Sequence, residues 1–376
     1  DFINDGLWMK TDGVNLGGVR ASNLTAVIPD YSKEKLLIDA DIKGPGKAVG
    51  PYFDETPLKD SLGTTLQELK LDGDVNARLH LDIPLNGELV TAKGEVTLRN
   101  NSLFIKPLDS TLKNLSGKFS FINGDLQSEP LTASWFNQPL NVDFSTKEGA
   151  KAYQVAVNLN GNWQPAKTGV LPAAVNEALS GSVAWDGKVG IELPYHAGAT
   201  YNVELNGDLK NVSSHLPSPL AKPAGEPLPV NVKVDGNLNS FELTGQAGAD
   251  NHFNSRWLLG QKLTLDRAIW AADSKTLPPL PEQSGVELNM PPMNGAEWLA
   301  LFQKGAAESV GGAASFPQHI TLRTPMLSLG NQQWNNLSIV SQPTANGTLV
   351  EAQGREINAT LAMRNNARSE EHTSEL

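Results

Sequence analysis

The residues through which this chain could do acid–base or metal chemistry are few and scattered. Its six histidines include no H-x-H or H-E-x-x-H pair, the kind of spacing that sets two imidazoles on one metal ion. His80 falls on the polar phase of a strand and is expected to be solvated. Asp72-Gly73-Asp74 opens like a calcium-binding loop, but the positions that follow lack both the D-x-D-x-D-G order and the closing Glu, so a turn is expected. With no Cys in the chain, disulfides and thiolate metal centres are excluded. There is no nucleophile elbow, phosphate loop or dinucleotide fingerprint, and Gly17-Gly18 lies among strands where a cofactor turn would open a helix. Trp135, Trp185 and Trp257 occupy apolar strand positions and Trp298 a helical seam, where ring packing is expected over ligand stacking. The chain reads as a non-enzyme, with no cofactor and no metal.

What must be positioned is therefore a surface, and the elements that build it are strands. Between Leu115 and Phe144, Leu115, Gly117, Phe119 and Phe121 alternate with polar residues, Asn123-Gly124 marks a hairpin turn, and Leu131, Ala133 and Trp135 carry the alternation onward. Asn137-Gln138-Pro139 is expected to break the ribbon before Leu140, Val142 and Phe144 restart it. The same period of two recurs along most of the chain, giving on the order of twenty strands joined by hairpin-scale turns. Helical spacing interrupts it over Thr56 to Leu69, where Leu58, Leu62, Leu66 and Leu69 share a face. It does so again from Asn294 to Glu308, through Trp298, Leu301 and Phe302, and one or two helical turns are expected within Pro172 to Leu179. Leu216 to Pro229 carries five prolines but is followed at once by a regular strand, so it is expected to be a surface loop and not an interdomain linker.

Composition narrows what the surface could meet. A net charge of -11 excludes a nucleic-acid footprint, which needs clustered Lys and Arg, and excludes an electrostatic grip on anionic bilayers. Any lipid contact would have to be apolar. No apolar run reaches the 18 or so residues of a membrane span. An open sheet rarely exceeds about ten strands without curling, so the expected fold is all-β: a long antiparallel meander curled into an elongated hydrophobic groove, with a few short amphipathic helices.

The apolar phases of the strands give the candidate lining of that groove. From the first half they are Val75, Ala77, Leu79, Leu81, Ile83, Val96, Leu98, Phe119, Phe121, Val142, Phe144, Val155, Val157 and Leu159. The later strands add Val203, Leu205, Val230, Val232, Val234, Leu263, Leu265, Ile320 and Leu322. Most are medium aliphatics with few of the large aromatics that fill a thick sandwich core. A partly open floor able to hold acyl chains fits them; a structural or adhesive β-sandwich or solenoid binding glycans or a protein partner is the competing expectation.

The run from Tyr201 to Gly236, in which a strand leads through Leu209, Leu216-Pro217 and Pro219-Leu220 to Lys222 and a further strand, resembles a recurring segment of the AsmA-like family. So does the stretch from Gly285 to Gly354, with Pro291 to Trp298, Ile320 to Leu327, Gly330 to Trp334 and Asn336-Leu337. The block from Val75 to Phe144 is similar to the family's general repeat. The resemblance implies a curved β-sheet whose apolar groove conducts phospholipids between the inner and outer membranes of a Gram-negative bacterium. It further implies a periplasmic protein anchored in the inner membrane by a segment missing here, reaching both membranes through parts absent from this chain. Residues 1–367 are expected to form one elongated segment of a longer protein. Arg368 to Leu376 (RSEEHTSEL) resembles a translated DNA-sequencing adapter and is expected to be a non-native tail.

Overall fold

The computed structural model describes residues 2–3, 6–48, 69–106, 110–306 and 314–364. The helix expected through Leu58, Leu62 and Leu66, like the tail from Arg368, lies outside the described residues, and Leu69 begins a strand, Leu69–Asp72. The protein is all-β with two helices among the described residues, Ala173–Asn176 and Gly295–Ala306. It divides into two compact units, 1–169 with 184–204 and 170–183 with 205–376.

In the first unit, period-two sequence becomes antiparallel ladder. Val19–Ile28 pairs with Lys35–Pro45, which pairs with Asp74–Pro84, then Thr91–Ile105, then Ser110–Ile122. Two short strands, Asp125–Ser128 and Leu131–Trp135, both lie between Ser110–Ile122 and Gln138–Glu148, which in turn pairs with Ala152–Trp163. The turn within this ribbon falls earlier than the sequence suggests. Phe136 and Asn137, at φ 47° and 59°, form it, and Gln138-Pro139 opens the next strand opposite Trp135 and Ser134. Positive φ at both central residues matches the twist of a hairpin.

The core of this unit gathers where the long strands bulge. The Thr91–Ile105 and Ser110–Ile122 ladder shifts register between Leu98 and Asn101 and again before Leu103, and bulges of this kind bend the strand that carries them. Val75, Leu98, Leu112, Leu115, Leu131, Ala133, Leu140 and Val142 pack there into one buried cluster. Asn101, with no exposed surface, holds the bend. Its Nδ2 donates to the carbonyls of Asp72 (3.0 Å) and Asp74 (3.1 Å), and its Oδ1 accepts from the amide of Arg99 (2.8 Å). Gly73 lies between those carbonyls at φ 95°, where an added Cβ would come within 2.8 Å of Asn101 Nδ2. At the far edge, fully buried Tyr153 donates its hydroxyl to the Gly124 carbonyl (2.7 Å) and lies 2.6 Å from Thr146 Oγ1.

The second unit starts as an antiparallel meander and then turns to parallel pairing. Pro229–Asn237, Ser240–Ala247, Asn251–Leu258 and Leu263–Ala271 pair antiparallel in order. Gly285–Asn289 then lies parallel to Leu263–Ala271, and Ile320–Leu329 parallel to Gly285–Asn289. Parallel neighbours need long crossovers, often helical. The Pro-rich stretch after Ala271 supplies the first, and the Gly295–Ala306 helix lies in the second. Asn294 caps that helix, accepting from the Ala296 amide (3.1 Å) and donating to Glu297 Oε1 (2.9 Å). Antiparallel pairing resumes through Gln332–Thr344, Gly347–Gln353 and Asn358–Arg364. The Pro-rich stretch from Leu216 to Pro229 is a loop inside this unit, and the Trp298 indole N–H donates to its Ser218 carbonyl (3.1 Å).

Asn101→Ala should cost about 2–4 kcal/mol in a urea melt, because it strands two buried carbonyls and an amide as well as opening a cavity. Burial raises the Tyr153 pKa from 10 to about 12. A raised pKa means the folded state holds its proton more tightly, so this contribution is complete below pH 10 and is lost as pH climbs toward 12. Alkaline unfolding of the wild type should steepen in that window, and Tyr153→Phe should flatten it.

Candidate functional site: the apolar face

The groups that could have done chemistry are placed elsewhere. His80 lies on the polar face with Nδ1 2.8 Å from Asp39 Oδ1. The Asp72-Gly73-Asp74 turn spends two carbonyls on Asn101. No group of three or more metal-ligating side chains occurs among the described residues.

Residues directly opposite one another in an antiparallel ladder point to the same face, so the registers define what the apolar phases form together. In the first unit Ala21 lies opposite Ile42, Ile42 opposite Ala77, Ala77 opposite Val96 and Val96 opposite Phe119. The Phe119 ring meets that of Phe144 at 5.6 Å, and Phe144 lies opposite Val157. One apolar row therefore crosses the sheet without a break in phase. A second runs beside it through Ala40, Leu79, Gly94, Phe121 and Leu126, and Ile38, Leu81 and Ala92 form a third. The opposite face carries the charges. Asp41 holds Arg78 (3.4 Å) and Asn23 (2.8 Å), Glu95 holds Lys118 (2.8 Å), and Asp82 holds Lys35 (3.2 Å). The Asn23 and Arg78 hydrogen bonds keep the Asp41 carboxyl below its ordinary pKa.

The second unit repeats the device. Val232 lies opposite Gly245, Gly245 opposite Phe253, Phe253 opposite Trp270, Trp270 beside Leu288, Leu288 beside Leu322, and Leu322 opposite Ile339. Near Trp270 and Leu322 the row runs into a small buried cluster of Ala272, Met290 and Met293, on which Trp298 of the Gly295–Ala306 helix packs.

The candidate lining residues separate into three groups on this frame. Val75, Leu98 and Val142 are sealed in the first core, and Leu265, 7% exposed, is buried in the second unit. Val96, Phe119, Phe144, Val157 and Leu159 are half-buried against the first core, and Leu322 against the second cluster. Ala77, Leu79, Leu81, Ile83, Phe121, Val155, Val203, Leu205, Val230, Val232, Val234 and Leu263 are half-buried outside both clusters, and Ile320 is 40% exposed. The last two groups are not sealed among the described residues.

Sequence reading missed Gly94, Gly245, Phe253, Trp270, Leu288 and Ile339 as members of these rows. A glycine carries no apolar signal, and in Leu263–Ala271 both strand phases hold apolar residues, so only the register shows which side chain shares the row. An expected Trp packing role holds for Trp135 and Trp185, which meet Trp163 at 6.4 and 4.8 Å, and for Trp257, stacked on Phe241.

A meandering sheet with charge on one face and in-register apolar rows on the other defines a β-sheet protein organised around a surface. The family model described as YhdP protein matches residues 1–375, and the chain belongs to that family. It is 98% identical over 367 residues to a protein of Escherichia coli (strain K12) named intermembrane phospholipid transporter YhdP, a match that covers 98% of this chain. The chain spans 29% of the length of that relative. No solved structure matches.

A charge tells an uncovered apolar face from a sealed core, because water can still reach the former. Leu81→Asp should cost about 1–2 kcal/mol in urea denaturation, whereas Leu140→Asp, at a side chain 2% exposed, should cost more than about 4 kcal/mol or prevent folding. Equal losses at the two positions would mean that both are core.

Proposed function

We propose that this chain is a stretch of a phospholipid-conducting path between the inner and outer membranes of a Gram-negative envelope. Acyl chains lie along its apolar rows while head groups stay in water. The carrying observation is the phase-matched row of half-buried aliphatics in each unit. The near-identity to a protein named an intermembrane phospholipid transporter supports the same reading. So does the energetics. A phospholipid with about thirty chain methylenes faces on the order of 20 kcal/mol in leaving a bilayer for water, at roughly 0.8 kcal/mol per methylene. A continuous aliphatic floor removes most of that cost without a directional contact that would trap the lipid. The net charge of -11 and the ion-paired outer face keep the protein soluble and add no attraction to anionic lipid.

On this reading the floor is the half-buried set outside the two clusters, including Leu79 and Leu81 in the first unit and Val232 and Val234 in the second. No step is catalytic, and no metal or cofactor takes part. Membrane anchorage belongs to parts of the longer protein beyond this chain, residues 1–367 act as one segment of it, and Arg368 to Leu376 contributes nothing native.

Protein purified in mild detergent should carry phospholipid detectable by mass spectrometry. A photo-crosslinking side chain at Leu79 or Val232 should capture it at least about tenfold more efficiently than one at Arg78 or Lys233 on the other face. Equal capture from both faces, or clean protein that binds glycan instead, would overturn the proposal in favour of an adhesive sheet.

A further inference from the structure

On each of two rows, one in either unit, a phenylalanine lies directly opposite a glycine, and the glycine's other neighbour is an aliphatic. The two sets are Leu79, Gly94, Phe121 and Val232, Gly245, Phe253. In both, the tip of the ring occupies the space that a Cβ on the glycine would take. A Cβ added to Gly94 would meet two ring carbons of Phe121 at 2.7 Å, and one added to Gly245 would meet three ring atoms of Phe253 at 2.7 Å or closer. Neither glycine needs its conformational freedom, since no left-handed φ occurs at either. What they supply is the missing side chain. Both phenylalanines are half-buried.

We infer that Gly94 with Phe121 and Gly245 with Phe253 set the height of the apolar floor: the glycine seats the ring flat, so that an acyl chain can pass over it. This rests on the lipid-path reading and adds its positioning residues. A ring lying on bare backbone rises by one contact distance, roughly 4 Å, whereas a phenylalanine with a Cβ beneath it must lift or swing and project into the space above the sheet. The common value of an aromatic on a cross-strand glycine is to cover backbone and stabilise the pair. That role alone does not require the pair to fall on the same apolar row as candidate floor residues in both units, with the phenylalanine half-buried. Gly245 is the cleaner test position, because the three atoms nearest to an added Cβ there all belong to the Phe253 ring, while at Gly94 the nearest is the Arg78 carbonyl oxygen at 2.3 Å.

The experiment uses the whole chain, vesicles of phosphatidylethanolamine and phosphatidylglycerol, and a trace phosphatidylethanolamine carrying a photoreactive diazirine in one tail, with labelled peptides identified by mass spectrometry. Gly245→Ala should reduce labelling of the peptide containing Val230 to Val234 by at least about fivefold, with labelling around Leu79 in the other unit unchanged. Gly245→Ala combined with Phe253→Leu should restore it to within about twofold of wild type, since the obstructing ring is gone. Gly245→Ala that labels like wild type overturns the inference, as does a double variant that stays blocked. A benzophenone side chain at position 253, with Gly245 kept, should itself capture lipid, and its failure while position 232 captures would also overturn the inference even if Gly245→Ala does not fold. No labelling of either unit in the wild type would instead sink the lipid-path reading beneath it.

Discussion

The structure depends on strand register. Side chains alternate faces with a period of two, so a slip of one residue at any hairpin would send that strand's aliphatics into water and its charges onto the apolar side. Across the first unit the phase holds from Ala21 through Ile42, Ala77 and Val96 to Phe119, and in the second from Val232 through Gly245 and Phe253 to Trp270. Charged pairs add a second check on the first unit's phase: Arg78 with Asp41 and Lys118 with Glu95 meet across neighbouring strands only while the apolar row behind them is aligned. Exposed pairs of this kind contribute little to stability, but a slipped register would set their partners apart.

Where the phase is interrupted, the interruption is built. Asn101 and Gly73 pin the bend at which Leu112, Leu115, Leu131 and Leu140 close into a core. This concentrates the stabilising burial of the first unit at one end of its strands. The remaining length of Asp74–Pro84, through Leu79 and Leu81, is thus freed from packing duty and keeps its aliphatics half-covered. A protein that sealed every apolar side chain would be more stable and would have no face to offer.

The second unit reaches a similar face by a different route. Its change from antiparallel to parallel pairing costs two long crossovers, and the second carries the Gly295–Ala306 helix, which rests on the Met290 and Met293 cluster through Trp298 and on the Ser218 loop through the same indole. Thus the row meets a helix-backed cluster at Trp270, Leu288 and Leu322, where the first unit gathers its core by bending strands.

Much of this was legible in the chain itself. Period-two alternation, the turn residues and the scarcity of paired catalytic groups determined the all-β class, the two-faced strands and the absence of any motif for chemistry, because alternation is a local property of the backbone and needs no partner to be read. The helix beginning at Asn294 and the loop character of Leu216 to Pro229 were local in the same sense. The tertiary structure decided which apolar side chains close up and which stay uncovered. Val75 and Leu79 share one phase of one strand, yet Val75 is sealed by Leu98 and its neighbours while Leu79 looks across at Gly94. It also decided the parallel strands after Ala271 and the seating of Phe253 on Gly245. Each of these is set by which residue of a distant strand falls opposite, and hydrophobic burial acts between strands, whereas the sequence records only what each strand brings to the pairing.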